Sequence, residues 1–410
     1  MDNATHAIAG LLAAEAVIVF RSRHGRALSA GFLASSRWVS AIANNLPDLD
    51  SLYAKRLGGK LGYLLQHRGY THTLPAALGF GLVLWMLWLA MRRRALSSAD
   101  RLWLLALSLG GGLLHIAFDF CNNYGVHPFW PLFEGWIYGD FIFIIEPWLW
   151  VFAVPALHAS LENRWAKRAL GAVLVAGIVL AWALRIAPWG VALGITLGSL
   201  GAVRACYKLR APERLAFALG GWLLVFVAFG GGSLALRTRT VLELARLPGE
   251  RLEDIVMTPA PGNPLCYSVV VVSTHGEDYV LRAGRGSVAP ALLSARSCRV
   301  QPTGLTLGLR PPSVPASRNV FWEGEWRRPL RELVELDAQH CLVGAQLRFA
   351  RAPFWDPRGS ERLLVGDLRF DRDPDYDFDE FDVPRDPRKA LCLRWLPPWV
   401  PPRESLLRPR

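Results

Sequence analysis

Several features are missing from this chain of 410 residues, and each absence narrows what it can be. Its six cysteines, Cys121, Cys206, Cys266, Cys298, Cys341 and Cys392, form no Cys-x-x-Cys pair, which argues against a structural zinc ribbon. Met1-Asp2-Asn3 lacks the basic stretch that opens a secretory signal, so no cleavable leader is expected. Acids are scarce in the apolar first half and gather near the end, and residues 121–140 contain neither Lys nor Arg. The net charge of +12 comes without an aromatic-basic platform on which bases could stack, so no nucleic-acid partner is expected. The first half shows no fixed-period repeat, which weakens a transporter built from inverted repeats.

What the chain does have is apolar mass. Hydrophobic residues make up 52% and the mean hydropathy is +0.23. The 17 Trp are of the kind that collects at membrane interfaces. At about 20 residues per crossing, apolar runs at Ala4–Phe20, Ala27–Leu46, Leu74–Met91, Leu102–Phe120, Phe141–Leu157, Ala169–Val203 and Leu215–Leu236 give seven or eight membrane helices. The Ala169–Val203 tract is long enough for two, hinged near Arg185–Pro188, and the Ala27–Leu46 run, which contains Arg37, is either a span or an interfacial helix. No run long enough to span follows Leu236; there Tyr267–Ser273 and Tyr279–Arg282 look like a hairpin turned at His275–Asp278. Leu305–Leu309 and Gly344–Phe349 also alternate in strand fashion. The expected fold is a membrane α-helical bundle over residues 1–236, with a mostly β soluble domain over 240–410 that ends in a Pro- and Arg-rich, disordered tail.

Basic residues alternate between loops. Arg21, Arg23, Arg26, Arg92 to Arg94, Arg101, Arg164, Lys167, Arg168, Arg204, Lys208, Arg210 and Arg214 share one predicted face, which the positive-inside rule assigns to the cytoplasm. The opposite, extracytoplasmic face then holds His6, Asp48, Asp50, His67, His72, His115, Asp119, Asp140, Glu146 and the C-terminal domain. All nine of these groups stand at ends of apolar runs, where ionisable side chains are costly and usually functional. The arrangement needs Ala27–Leu46 to cross; otherwise His6 falls on the wrong side.

Each group also has a plainer reading. His115 and Asp119 are four apart and share a helix face, as two metal ligands, as a ligand and its orienting acid, or as a polar link between helices. Asp48 and Asp50 follow Pro47 and could bridge metals or cap a helix end. His67 and His72 would lie about 140° apart on an ideal helix, so they need a break, for which Gly69 is available, and would serve as two ligands or as a ligand plus a base. Thr73 and Pro75 suit the start of the next helix. Arg68 suits an anionic oxygen. Asp140 and Glu146 are otherwise an interface anchor and a cap, and His127 is either a ligand or a filler of the aromatic loop. The acids at 371, 373, 375, 377 and 379 fail the EF-hand spacing, with Tyr376 at position six and Asp382 at twelve, and read as a solvated loop.

Thr5-His6, Pro47-Asp48-x-Asp50, His67-Arg68-Gly69-x-Thr71-His72, His115-x-x-x-Asp119, Tyr124-Gly125, Trp130-Pro131 and Asp140 to Glu146-Pro147, in that order, resemble the YdjM-like membrane-bound metal-dependent hydrolases. The resemblance covers roughly residues 1–150 and extends broadly to zinc-dependent phospholipase C and zinc nucleases. It implies that His6, Asp48, His67 or His72, His115 and Asp119 are metal ligands; Glu146 departs from the Asp expected there. Val365–Phe370 looks like a segment of longer members, with no chemistry attached. The expectation is an inner-membrane hydrolase with two or three divalent ions, zinc foremost, acting on a lipid or other phosphoester through Asp48, Asp50, Arg68 and His72. A transporter or channel, or a membrane-anchored binding scaffold, are the rival classes.

Overall fold

The computed structural model describes residues 1–24, 27–183, 187–373 and 378–408. Eight long helices stand where apolar runs predict them: α1 (Asn3–Arg23), α2 (Ala30–Ala43), α5 (Leu74–Arg92), α6 (Ser98–Phe120), α7 (Pro147–Ser160), α8 (Arg164–Ala183), α9 (Trp189–Cys206) and α10 (Ala211–Leu244). Two short helices, α3 (Ser51–Ala54) and α4 (Gly59–Gln66), lie between α2 and α5. Six of the eight are long and apolar enough to cross a membrane, while α2 and α7 have 14 residues each, about 21 Å. The hinge expected at Arg185–Pro188 falls partly on residues 184–186, outside the described residues.

The starts of these helices are written locally. Asp2 accepts from the Thr5 amide, Ser29 from that of Phe32, and Ser97 and Asp100 form a reciprocal box at α6. Thr73 caps α5 by accepting from the Ala76 amide, and Pro75 sits in its first turn, as its residue types predict. Packing then sets which ends meet. A Cβ at Gly111 of α6 would fall 2.4 Å from the Ala43 Cβ of α2, so only glycine lets those two backbones approach. Short as it is, α2 returns the chain beside the start of α1, where Asn3 donates to Asn45 Oδ1 and Asp48 Oδ2.

α10 continues beyond the predicted span and carries the chain into the C-terminal domain. There β1 (Glu250–Ala260), β2 (Asn263–His275), β3 (Asp278–Ser287) and β4 (Val320–Pro329) form an antiparallel sheet in sequential order, with the predicted β2–β3 hairpin pairing His275 with Asp278. β5 (Pro353–Arg358), β6 (Arg362–Asp367) and β7 (Phe381–Pro384) form a second antiparallel sheet. Four sequence expectations fail here. Leu305–Leu309 is a run of turns, between Gly304 and Gly308 with φ of 80° and 67°. Gly344–Phe349 belongs to helix α12 (Cys341–Leu347), which follows α11 (Leu330–Gln339), and to the turn after it. The tail is packed rather than loose: Trp399 is fully buried, its ring stacked on His127 and its Nε1 donating to the Leu65 carbonyl at 2.8 Å. The acidic stretch is not simply solvated either, since Asp371 and Asp379 are buried and Asp371 accepts from the Thr306 and Leu307 amides; Asp375 and Asp377 lie outside the described residues.

Three arginines of the C-terminal domain hold it against the helix ends that carry the site. Arg351 donates to both Asp140 oxygens at 2.8 Å and also pairs with Asp254. Arg369, from the Val365–Phe370 segment, pairs with Asp367 and donates to the Asn123 carbonyl at 2.7 Å. Arg348 accepts, through its carbonyl, from Trp136 Nε1 at 2.7 Å.

Candidate metal centre

The helix ends place four side chains around one point. His72 Nε2 lies 3.0 Å from His115 Nε2, and Asp119 Oδ2 is 3.1 Å from the first and 3.3 Å from the second. Asp48 Oδ1 is 3.5 Å from both nitrogens. An ion at 2.0–2.1 Å from four tetrahedral donors sets them roughly 3.3–3.4 Å apart, which is the spacing here. His72, His115 and Asp119 are fully buried and Asp48 nearly so.

The ring tautomers point the same way. His115 Nδ1 donates to the Asn44 carbonyl at 2.6 Å, and a carbonyl can only accept. Thr71 spends its hydroxyl proton on Asp50 Oδ2, so the Thr71 oxygen 3.0 Å from His72 Nδ1 is an acceptor as well. Both imidazoles therefore carry their proton on Nδ1 and turn bare Nε2 lone pairs toward each other and toward two carboxylate oxygens. Four acceptors at this spacing repel unless a cation sits among them. The donor set fits a divalent ion such as zinc.

Two further groups adjoin the first. Asp48, Asp50 and His67 offer ligand atoms within 4.8 Å of one another. On the other side Asp119 Oδ1 meets His6 Nε2 at 3.2 Å, Arg68 at 3.0 Å and the Met1 amino group. The His6 ring stacks on that of His115, with centroids 3.7 Å apart. Asp119 thus faces two loci with its two oxygens.

The His67–His72 segment is built around Asp50. That carboxylate accepts from His67 Nδ1 at 2.8 Å, from the Arg68 amide at 2.9 Å and from Thr71 Oγ1 at 2.8 Å. The break that separates the two histidines is carried by Arg68, at φ 61°, and not by Gly69, as its residue type suggests. Holding a non-glycine residue there costs on the order of 1–3 kcal/mol. Gly69 is required for space instead, since a Cβ would fall 2.9 Å from the Gln66 carbonyl oxygen and 3.1 Å from Trp399. Burial opposes ionisation of Asp50, but its contacts with His67 and His72 hold it well below the usual carboxylate range. Burial likewise opposes the charged form of His72, yet Asp119, Asp48 and Asp50 push it up to about 10, so where no ion is bound a second proton on His72 Nε2 takes the place among these four groups that a metal ion would fill.

Two expected site residues are elsewhere. Asp140 is occupied by Arg351 and, at 3.5 Å, by Arg237. Glu146 caps α7 through the Trp148 amide and accepts from the Gly262 amide at 3.0 Å. Both are structural joints to the C-terminal domain. His127 is a filler of the aromatic loop, buried between Trp136 and Trp399, with Nδ1 3.3 Å from the Arg68 carbonyl. Asn44 and Thr71, which set the tautomers, carry no sequence signal for that role. Asn122, which accepts from Arg68 at 2.8 Å, is another residue that spacing could not single out.

Every residue of these three groups lies within residues 1–190, the stretch that matches the family described as YdjM inner membrane protein. Residues 1–190 are thus similar to the YdjM family. The chain is also similar to the uncharacterized protein YfhP of Bacillus subtilis, at 25% identity over 162 residues, or 38% of this chain and 45% of that protein. The chain thus spans less than half the length of that curated relative. No solved structure matches it. Neither description names a reaction, and the family match stops before the C-terminal domain begins.

Proposed function

We propose that the protein is a metal-dependent hydrolase of the inner membrane that cleaves a phosphoester, lipid or lipid-linked, at the outer face. The observation that carries the reading is the convergence of His72, His115, Asp119 and Asp48 with their lone pairs facing one another. These four would hold the first ion, zinc by their chemistry. His6 with Asp119, and Asp50 with Asp48, would serve one or two more. Bound there, the metal supplies a lowered water pKa and a counter-charge for phosphoryl oxygens.

The chain's own residues do the rest. Arg68, fixed by Asn122 and Asp119, holds an anionic oxygen. His67, half-buried beside a cavity, has its Nδ1 bound to Asp50, which leaves Nε2 to exchange a proton. In the reaction a water oxygen bonds to phosphorus as the ester P–O bond breaks. One water proton is taken by an Asp48 or Asp50 carboxylate, and the departing alkoxide is protonated from His67. The outer-face placement is supported by the alternating basic loops and by the disulfides Cys266–Cys298 and Cys341–Cys392 in the C-terminal domain.

The direct test is the metal content of the purified protein against a His115→Ala, Asp119→Ala double variant, read alongside hydrolysis of a soluble aryl phosphodiester and of a phospholipid. Wild type should carry metal and turn over substrate, and the variant neither. Equal metal in both removes the pair from the ligand set, and a metal-loaded wild type inert toward every phosphoester tried ends the hydrolase reading.

A further inference from the structure

A cavity of about 250 Å³ opens beside the metal centre, and both halves of the chain build it. Tyr63, His67 and Arg68 come from the membrane half, and Thr258, Phe370 and Arg372 from the C-terminal domain. Asn122 lines it too. Two buried donors on this wall, Arg68 Nε and Asn122 Nδ2, have no partner among the described residues. The amide orientation of Asn122 is settled, because its Oδ1 accepts from both Arg68 and the Tyr124 amide. Unmet buried N–H groups are costly, and an anionic oxygen is what would satisfy them. Arg372 adds a second guanidinium to the lining.

Phe143 lines this cavity and also a second one, of about 90 Å³, between α7, α8 and α9. That second space is walled by apolar side chains, among them Ile145, Trp150, Leu180, Ala181 and Ile195. It sits among membrane helices. A charged, donor-rich chamber that shares Phe143 with an apolar groove among the helices matches a molecule with a phosphate at one end and a hydrocarbon chain at the other.

We propose that these two spaces form one seat for a phosphate-headed lipid. The phosphate lies against Arg68, Asn122 and Arg372, and the chain passes Phe143 into the groove between α7, α8 and α9. The C-terminal domain is then a wall of the substrate site rather than an appendage. This inference rests on the phosphoester reading for its purpose but is tested by binding alone.

The full chain in phosphatidylcholine nanodiscs doped with phosphatidic acid would be assayed for retained lipid by native mass spectrometry, with inorganic phosphate titrated separately. Phosphatidic acid should be held about tenfold better than phosphatidylcholine. Ala181→Trp should fill the groove and release phosphatidic acid while leaving inorganic phosphate binding intact. Leu180→Trp repeats the test at a side chain already 39% exposed, where folding tolerates the bulk. Arg372→Ala should weaken phosphatidic acid about fivefold with metal content unchanged. Equal retention of the two lipids, or wild-type binding of phosphatidic acid by both groove variants, overturns the seat. Lipid phosphate bound as expected but never cleaved would sink the hydrolase reading and leave the seat standing, whereas cleavage of soluble esters with no lipid preference would do the reverse.

Discussion

His115 Nδ1 donates to the Asn44 backbone carbonyl at 2.6 Å, and that bond decides what the far side of the ring can do. It places the proton on Nδ1 and leaves Nε2 as a lone pair, 3.0 Å from the equally bare Nε2 of His72. The expected consequence is a cation-dependent fold at this end of the bundle. Chelation should lower the melting temperature of the protein in detergent, and added zinc should restore it. At a metal concentration a hundredfold above Kd the ion contributes about 2.7 kcal/mol. A melting curve indifferent to chelator would show that these four acceptors are neutralised by protons instead.

Asp50, which with Asp48 would serve a further ion, also carries the hydrogen bonds that orient the histidines of the first. It orients His67 and His72 and accepts from the Arg68 amide, all at once. Asp50→Asn keeps the size and removes the acceptor strength, so metal affinity should fall about 10–100-fold. Asp140→Asn is the control. Its side chain binds Arg351, away from the cluster, so metal affinity should be unchanged while stability drops. If both variants bind metal equally, Asp50 has no supporting role.

The joint between the two halves predicts an acid-labile stability. Arg351 is fully buried between Asp140 and Asp254, and removing one partner of such a group costs about 3–5 kcal/mol. Arg351→Met should therefore lower the melting temperature markedly. Burial works against the Asp254 carboxylate, but Arg351 holds it below its usual range. A lowered folded value means the unfolded chain binds more protons, so this stabilisation is full above about pH 4 and is lost as pH falls through the folded value. The variant should lose less stability on acidification than wild type; an identical acid dependence would remove Asp254 from the account.

How far these features could be read beforehand depends on how local they are. The eight long helices were legible because each is an apolar run bounded by its own caps and charges. The cluster of Asp48, His72, His115 and Asp119 was legible as a set because its members stand at run ends that alternation brings to one side. Asp140 and Glu146 share that position, and nothing near them in sequence shows that their partners, Arg351 and Gly262, lie 211 and 116 residues away. Gly344–Phe349 alternates as a strand would, yet Val343, Ala345 and Leu347 of the same stretch are buried in helix α12. A run that short has no period long enough to choose between the two. The packed tail was invisible for the same reason as Asp140: Trp399 finds Leu65 and His127 only once both halves are folded.

The disulfides bear on which side of the membrane the site faces. Cys341–Cys392 closes a loop of 51 residues and fastens the segment that carries Trp399 onto the helix ends. Chain-entropy estimates put such a link at about 4 kcal/mol, so Cys392→Ser should leave the tail open to limited proteolysis near Leu391 and Trp395, both already exposed. The cytoplasm would keep all six thiols reduced, whereas the far side of the inner membrane would oxidise four. Cys121 and Cys206, buried in the membrane half, are the free pair. Cells quenched with acid, denatured and alkylated should therefore yield two labelled cysteines in this chain, rising to six only after a reductant. Six without reductant would put the C-terminal domain in the cytoplasm, and the metal site with it, since Arg369 and Arg351 bind both to the same end of the bundle.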